Sequence, residues 1–189
     1  MKSRHTLYFA VLAVAAILAA GCTGAQHPGV AAPAPVPASA EAGNSYTPPG
    51  AITTAQELVE FVAHAAAYAR EHRREKATIA FNDRNGTFVA GGTYIFAVEY
   101  GGTVVADATE PGLWGTDISN LTDPFGIRFV ERFEETARFD RGYVSYMYQN
   151  PANNDTFDHR IAVVEDVDGT YYVGAGLFAP QGRPIHQSR

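Results

Sequence analysis

Residues 54–69 have the period of an amphipathic helix, and the chain beyond residue 92 changes to short β-rich runs separated by glycine turns. Thr54 and Glu57 have the spacing of a capping box, in which a hydroxyl and a carboxylate satisfy the first amides of a helix. Apolar residues then recur at steps of three and four, which is typical of one buried helix face. We expect this helix to end in the charged stretch 70–75, and a short second helix over residues 77–81.

The β-rich runs predict two hairpins and one further strand. The paired runs, each surrounding a glycine turn, are residues 93–100 with 103–107, and residues 159–164 with 171–178. A strand of clean alternation is expected over residues 142–148, and a helix is expected to begin at Asp123-Pro124. The order helix, hairpin, loop, helix, strand, hairpin predicts an α+β fold, with an antiparallel sheet of about five strands and helices packed on one side.

The N-terminus has the character of a secretion signal. Lys2 and Arg4 precede an uncharged apolar stretch, residues 7–20, which is short for a membrane-spanning helix of roughly 20 residues and suits a signal peptide. The stretch ends in Leu18-Ala19-Ala20-Gly21-Cys22, which resembles the lipobox of prokaryotic lipoproteins. We therefore expect residues 1–21 to be removed, Cys22 to be diacylated, and the protein to be held on a membrane outside the cytoplasm.

Composition separates a tether from one folded domain. Residues 22–50 are rich in proline and alanine, which favours an extended, semi-rigid spacer. The domain is expected over residues 51–180, followed by a tail, residues 181–189. A net charge of −6 argues against nucleic-acid binding, and a single cysteine excludes a disulfide framework. No nucleophile elbow, zinc-protease helix or phosphate-binding loop is present in the sequence, so an enzyme is not expected.

Several segments, in their order along the chain, resemble a single Cache domain of the second type. They are Thr93-Tyr94-Ile95-Phe96, Tyr100-Gly101-Gly102, Leu121-Thr122-Asp123-Pro124-Phe125-Gly126, Gly142-Tyr143-Val144-Ser145-Tyr146-Met147-Tyr148 with Asn150-Pro151, and Tyr172-Val173-Gly174-Ala175-Gly176-Leu177-Phe178. Such domains are PAS-like extracellular sensors of chemoreceptors and histidine kinases, and some are free-standing exported proteins. The resemblance implies a long N-terminal helix on the sheet and a loop–helix segment that crosses it, with a small ligand, often an organic acid, between sheet and segment.

The resemblance also has two departures. Family members often carry histidine at the end of the second hairpin strand, where this chain has Asp107. The membrane helix and cytoplasmic output of a receptor are not expected either, so a signal would pass through a membrane receptor or kinase partner. No cofactor is expected.

Eight residues on these segments are candidate ligand-binding residues: Tyr94, Phe96, Asp107, Trp114, Arg128, Tyr143, Tyr146 and Tyr148. Arg128 is interpreted as a fork for a ligand carboxylate, and Asp107 as an acceptor for an amine or hydroxyl. Trp114 with the tyrosines is an alternative, cation-holding arrangement. Structural roles compete with these: Arg128 pairing with Glu131 or Glu135, Asp107 capping a turn, and the aromatic residues filling a core.

Weaker candidates complete the set. Asp117 and Asp123 are oxygen donors that suit a hard cation, although their spacing is not that of an EF-hand, and no metal site is expected. His64 and His159 lack partners at metal-ligand spacing. The resulting hypothesis is a lipid-anchored extracytoplasmic domain that binds a short carboxylate or amino-acid-like molecule for sensing or delivery. The alternative is a structural or protein-interaction lipoprotein without a ligand.

Overall fold

The computed structural model describes residues 46–179. The predicted signal peptide, Cys22, nearly all of the tether and the tail therefore lie outside the described residues. The helices are α1 (Ala55–Glu71), α2 (Arg74–Phe81) and α3 (Phe129–Ala137). The strands are β1 (Val89–Ala90), β2 (Thr93–Tyr94), β3 (Phe96–Glu99), β4 (Val104–Asp107), β5 (Arg141–Asn150), β6 (Thr156–Asp166) and β7 (Tyr171–Phe178).

Within the described residues, β3 to β7 form a five-stranded antiparallel sheet in the order β4-β3-β7-β6-β5. The two predicted hairpins are the pairs β3–β4 and β6–β7, and the predicted lone strand is β5, at one edge. Phe96 on β3 lies opposite Gly174 on β7, and Arg160 on β6 lies between Tyr146 on β5 and Phe178 on β7. The predicted α+β, PAS-like architecture is confirmed.

The N-terminal helix begins where its capping box predicts. The Thr54 hydroxyl accepts a hydrogen bond from the Glu57 amide at 3.2 Å, and the Glu57 carboxylate accepts one from the Thr54 amide at 3.0 Å. The buried face of α1 packs on β6 and β7, against a sheet face that includes Val163, Val173 and Ala175. Each large side chain buried there contributes about 1.5–3 kcal/mol to stability. Along this part of the chain, no helix is long and apolar enough to span a bilayer.

The third helix corrects two expectations. Phe129, Val130 and Phe133 of α3 pack against the sheet face opposite α1, so the helices do not lie on one side. Both faces of the central strands are apolar, so the alternation of side chains does not show which face a given helix covers. Helical periodicity identifies the buried side of a helix but not the sheet face on which that side packs. The helix also begins at Phe129 rather than at Asp123. Gly126, at φ +79°, interrupts the helical path between them.

Residues 108–128, here called the crossing segment, run across the α3 face of the sheet from one edge to the other. Near β4 the Val104 amide donates to the Thr116 carbonyl at 3.0 Å, and the Gly115 amide donates to the Val104 carbonyl at 2.8 Å. Toward β5 the Asp123 carboxylate accepts from the Met147 amide at 3.3 Å. Because β4 and β5 are the two edge strands, the segment covers the full width of the sheet.

Asp123 joins the crossing segment to β5 with a buried carboxylate. Besides the bond to Met147, it accepts from the amides of Phe125 and Ile127, each at 2.9 Å. Burial acts to raise the pKa of Asp123, but the hydrogen bonds from Ile127, Met147 and Phe125 outweigh it and hold this pKa below its usual value. The carboxylate therefore stabilises the end of the crossing segment in its charged form.

Replacing Asp123 with asparagine should lower the free energy of unfolding by about 2 kcal/mol at neutral pH, because one charged acceptor of the amide bonds is lost. The pKa is lower in the folded than in the unfolded chain, so this contribution is complete above about pH 4 and is lost as the pH falls through the folded-state pKa. Urea unfolding of both proteins from pH 7 to pH 3 measures the difference. Asp117→Asn, an exposed change in the same segment, is the control, and an equal loss there would contradict the assignment.

Candidate functional site

Between the sheet and the crossing segment lies an inner cavity of about 60 Å³. That is several times the volume a single water needs, about 10–15 Å³. The sheet contributes aromatic side chains, α3 contributes Phe129 and Phe133, and the crossing segment contributes aliphatic ones. The lining residues are Tyr94, Phe96, Val98, Val104, Asp107, Leu113, Ile118, Leu121, Phe129, Phe133, Tyr146, Tyr148 and Arg160.

Five of the eight candidate residues line this cavity: Tyr94, Phe96, Asp107, Tyr146 and Tyr148. Tyr146 and Tyr148 share one face of β5, as alternation predicts, and their rings pack around Phe129. Burial raises the pKa of the Tyr146 hydroxyl, and burial likewise raises the pKa of Tyr148 to about 12. Both hydroxyls therefore keep their protons at neutral pH and remain hydrogen-bond donors.

The other three candidates lie outside the cavity. Tyr143 is on the opposite face of β5 and is 57% exposed, as expected for a residue out of phase with Tyr146. Trp114 is 45% exposed, and its indole N–H donates to the Asp107 carbonyl at 2.9 Å. Arg128 is 47% exposed and pairs with Glu131 at 3.4 Å, so the structural role considered for it is the one observed. The side chains of these three residues do not line the inner cavity, and a ligand contact from them stays a prediction.

Asp107 combines a turn cap with a place in the cavity lining. Its Oδ1 accepts from the Thr109 amide and hydroxyl, both at 2.8 Å, and from the Glu110 amide at 2.9 Å. The turn-capping role considered in the sequence is thus observed. The residue is buried at the end of β4. A ligand contact from Asp107 stays a prediction.

Arg160, at the centre of β6, is the cationic residue of the cavity, and the sequence reasoning missed it. The residue is 5% exposed, and its Nε has no hydrogen-bond partner. Nη2 donates to the Gly176 carbonyl at the long distance of 3.5 Å. The guanidinium carbon lies 5.2 Å from the Tyr148 ring centre and 5.1 Å from that of Phe178.

No carboxylate in residues 46–179 forms an ion pair with Arg160. Its polar neighbours are the hydroxyls of Tyr94 and Tyr146. Aromatic faces and hydroxyl groups offset part of the free-energy penalty of burying a guanidinium, but they do not neutralise its positive charge. Since arginine cannot lose its proton in a protein, the site holds a permanent, buried positive charge.

Two glycines of β7 make room for the cavity side chains. A Cβ atom on Gly176 would lie 2.3 Å from Arg160 Nε and 2.9 Å from its Cζ. A Cβ atom on Gly174 would lie 2.5 Å from Phe96 Cζ. The sequence signal for both observations is alternation. Arg160 falls in phase with buried Ala162 and Val164. Opposite Ala162 and Val164, β7 has Gly176 and Gly174 where side chains would be expected.

The remaining candidates have structural contacts. The two oxygens of Asp123 accept backbone amides, and Asp117 accepts from the Ser119 amide at 2.8 Å. His64 stacks between Tyr46 and Phe88, and His159 lies 3.3 Å from the Ser145 hydroxyl. Among residues 46–179, no group of three or more His, Cys, Asp or Glu side chains is arranged to hold a metal ion.

Comparison with solved structures finds the same fold in extracytoplasmic sensor domains. A methyl-accepting chemotaxis protein from Vibrio parahaemolyticus is 15% identical, with a TM-score of 0.52, over 65% of this chain and 86% of that one. A periplasmic sensor domain of a chemotaxis protein is 24% identical, with a TM-score of 0.50, over 66% and 90%. A Cache chemosensory domain described for carboxylic acid recognition is 18% identical, with a TM-score of 0.55, over 66% and 92%.

The family comparison agrees with the fold. No curated protein matches the chain. The family model for single Cache domain 2 matches residues 49–178, which is more than half of the chain and contains every element of the sheet. The chain therefore belongs to the single Cache domain 2 family of sensor domains.

Proposed function

We propose that this domain senses a small carboxylate, which binds in the inner cavity with its charge on Arg160. The observation that carries the proposal is the buried guanidinium without a counter-ion in the described residues. A Cache domain of the same fold is described for carboxylic acid recognition, which supports the same ligand class here.

The chemistry of the lining matches such a ligand. An arginine fork forms two parallel hydrogen bonds to a carboxylate, and an unpaired Nε leaves one of these donors free. Tyr94 and Tyr146 hydroxyls add donors beside it. Phe96, Phe129 and Phe133 form an apolar surface for a short alkyl chain. The small volume of the cavity favours acids of a few carbon atoms.

The test is isothermal titration calorimetry of the domain with acetate, propionate, butyrate and lactate, each compared with the matching neutral amide. We expect saturable binding of at least one acid and none of its amide, because the amide keeps the shape and loses the charge. A flat result for every acid, with the fold verified by circular dichroism, would overturn the proposal and favour a structural lipoprotein.

We also propose that Cys22 carries the lipid that holds the domain on a membrane outside the cytoplasm, where it acts through a membrane receptor or kinase. The lipobox-like sequence supports the anchor, and two acyl chains give stable attachment. Cys22→Ser should move the protein from the membrane fraction to the soluble one in a bacterial host that processes lipoproteins. Equal membrane retention of the variant, judged by immunoblotting, would contradict the anchor.

A further inference from the structure

We infer that the ligand is an amino carboxylate, whose carboxylate binds Arg160 and whose ammonium group lies in a second, acidic cavity beside it. This inference rests on the proposed function and narrows its ligand class. The second, outer cavity has a volume of about 380 Å³. Its lining residues are Gly92, Tyr94, Thr109, Glu110, Tyr148, Gln149, Pro151, Asp155, Arg160 and Phe178.

The two cavities meet at one set of side chains. Tyr94, Tyr148 and Arg160 line both of them, so the guanidinium lies at their boundary. A ligand whose carboxylate binds there has the apolar inner cavity on one side and the larger outer cavity on the other. The outer cavity is therefore available to a second functional group of the same ligand.

The charge of the outer cavity is negative apart from Arg160. Glu110 and Asp155 are its acidic residues, and neither forms an ion pair within residues 46–179. A simple monocarboxylate would leave both acidic groups without a partner, and a dicarboxylate would add a second negative charge near them. An ammonium group compensates them, so the charge pattern selects a zwitterion.

Exposed carboxylates alone would not indicate a binding site. The independent observation is Arg160, which lines the same cavity, is only 5% exposed and has an Nε without a hydrogen-bond partner. A buried cation and two acidic groups thus line one cavity, and together they offer partners for both charges of an amino acid. Tyr148 lies close enough to both groups for Glu110 and Arg160 to act on its pKa in opposite directions.

The experiment compares ligands that share one four-carbon skeleton: butyrate, 2-aminobutyrate, 4-aminobutyrate and succinate. Titration calorimetry at low ionic strength should give a dissociation constant for one of the amino acids about tenfold below that for butyrate, with succinate weaker than butyrate. The two amino acids differ in the distance between ammonium and carboxylate, so their ratio reports how far the acidic groups lie from the guanidinium.

Two isosteric variants test the acidic groups. Glu110→Gln and Asp155→Asn should each reduce the preference for the amino acid over butyrate by about threefold, because the ammonium group loses one of its two acidic partners. Asparagine is tolerated at position 155, where φ is +55°, because it adopts the left-handed region readily. Glu135→Gln on α3 changes the net charge equally but lies outside both cavities, so it should leave the preference unchanged.

The outcomes separate this inference from the proposed function. If butyrate binds as tightly as both amino acids, the zwitterion inference is overturned and carboxylate sensing stands. A similar loss of preference in Glu135→Gln would also overturn it, because the effect would then be one of net charge. If none of the four acids binds, the zwitterion inference fails, and carboxylate sensing fails with it when acetate, propionate and lactate do not bind either.

Discussion

An Arg160→Met domain should not bind carboxylates, and without ligand it should be as stable as the wild type or more stable. Methionine has a similar length and fills the same space, but it carries no charge. Replacing a buried charge with an apolar residue of similar volume is commonly neutral or stabilising, here by up to about 4 kcal/mol. The loss of binding reflects the loss of the one buried cation that lines the inner cavity.

Calorimetry with the best acid and urea unfolding without ligand measure the two effects separately. Arg128→Met is the matched control, since Arg128 pairs with Glu131 at the surface and does not line the cavity. It should leave binding and stability within about 0.5 kcal/mol of the wild type. A variant at position 160 that loses stability and still binds acid would show that the guanidinium has a structural role instead.

Adding a single methyl group at Gly176 should weaken carboxylate binding by more than about 30-fold and destabilise the domain by about 1–3 kcal/mol. The Cβ of Gly176→Ala would lie 2.3 Å from Arg160 Nε, so the guanidinium has to move away from its present position. Rings of Tyr148 and Phe178 lie close to the guanidinium and limit where it can go. Strain in the core and misplacement of the cation are therefore the two expected effects.

A double-mutant cycle identifies the cause. Combined with Arg160→Ala, which removes the clashing atoms, Gly176→Ala should cost less than about 0.5 kcal/mol of unfolding free energy. Gly112→Ala is the control glycine, because a Cβ there meets no atom within 4 Å. If Gly176→Ala is equally destabilising in both backgrounds, the clash with Arg160 is not the reason for its effect.

Local signals predicted most of the fold. The capping box located the start of α1, and alternation located β5 and the cavity positions of Tyr146 and Tyr148. The side of the sheet that α3 covers could not be predicted, because both faces of the central strands are apolar. The sequence predicts that α3 begins at Asp123, ahead of its actual start at Phe129, because an aspartate before an apolar run caps a turn as readily as a helix.

Sequence patterns favour Arg128 as the carboxylate fork, whereas the cation that lines the inner cavity is Arg160. Arg128 lies next to a segment that resembles the family, which favours it as a ligand-binding residue. At the start of α3, however, its side chain is largely exposed to solvent. The better signal was the position of Arg160 in the buried phase of a central strand, because charged residues are rarely buried there without a purpose. The role of Gly176 in making room for the Arg160 side chain follows only from the structure, because Gly176 lies diagonally across from Arg160 in the register.

Gly174 and Gly176 have a mechanical consequence as well as a steric one. At these two positions β7 has no side chain on the cavity face, while on the other face Val173 and Ala175 are in the core that α1 packs against. The side chains of Arg160 and Phe96, which lie over these glycines, are thus separated from the layer under the N-terminal helix by the thickness of one main chain. Displacement of β7 by even a fraction of an ångström would be transmitted directly to α1, because side chains of this strand pack against the helix.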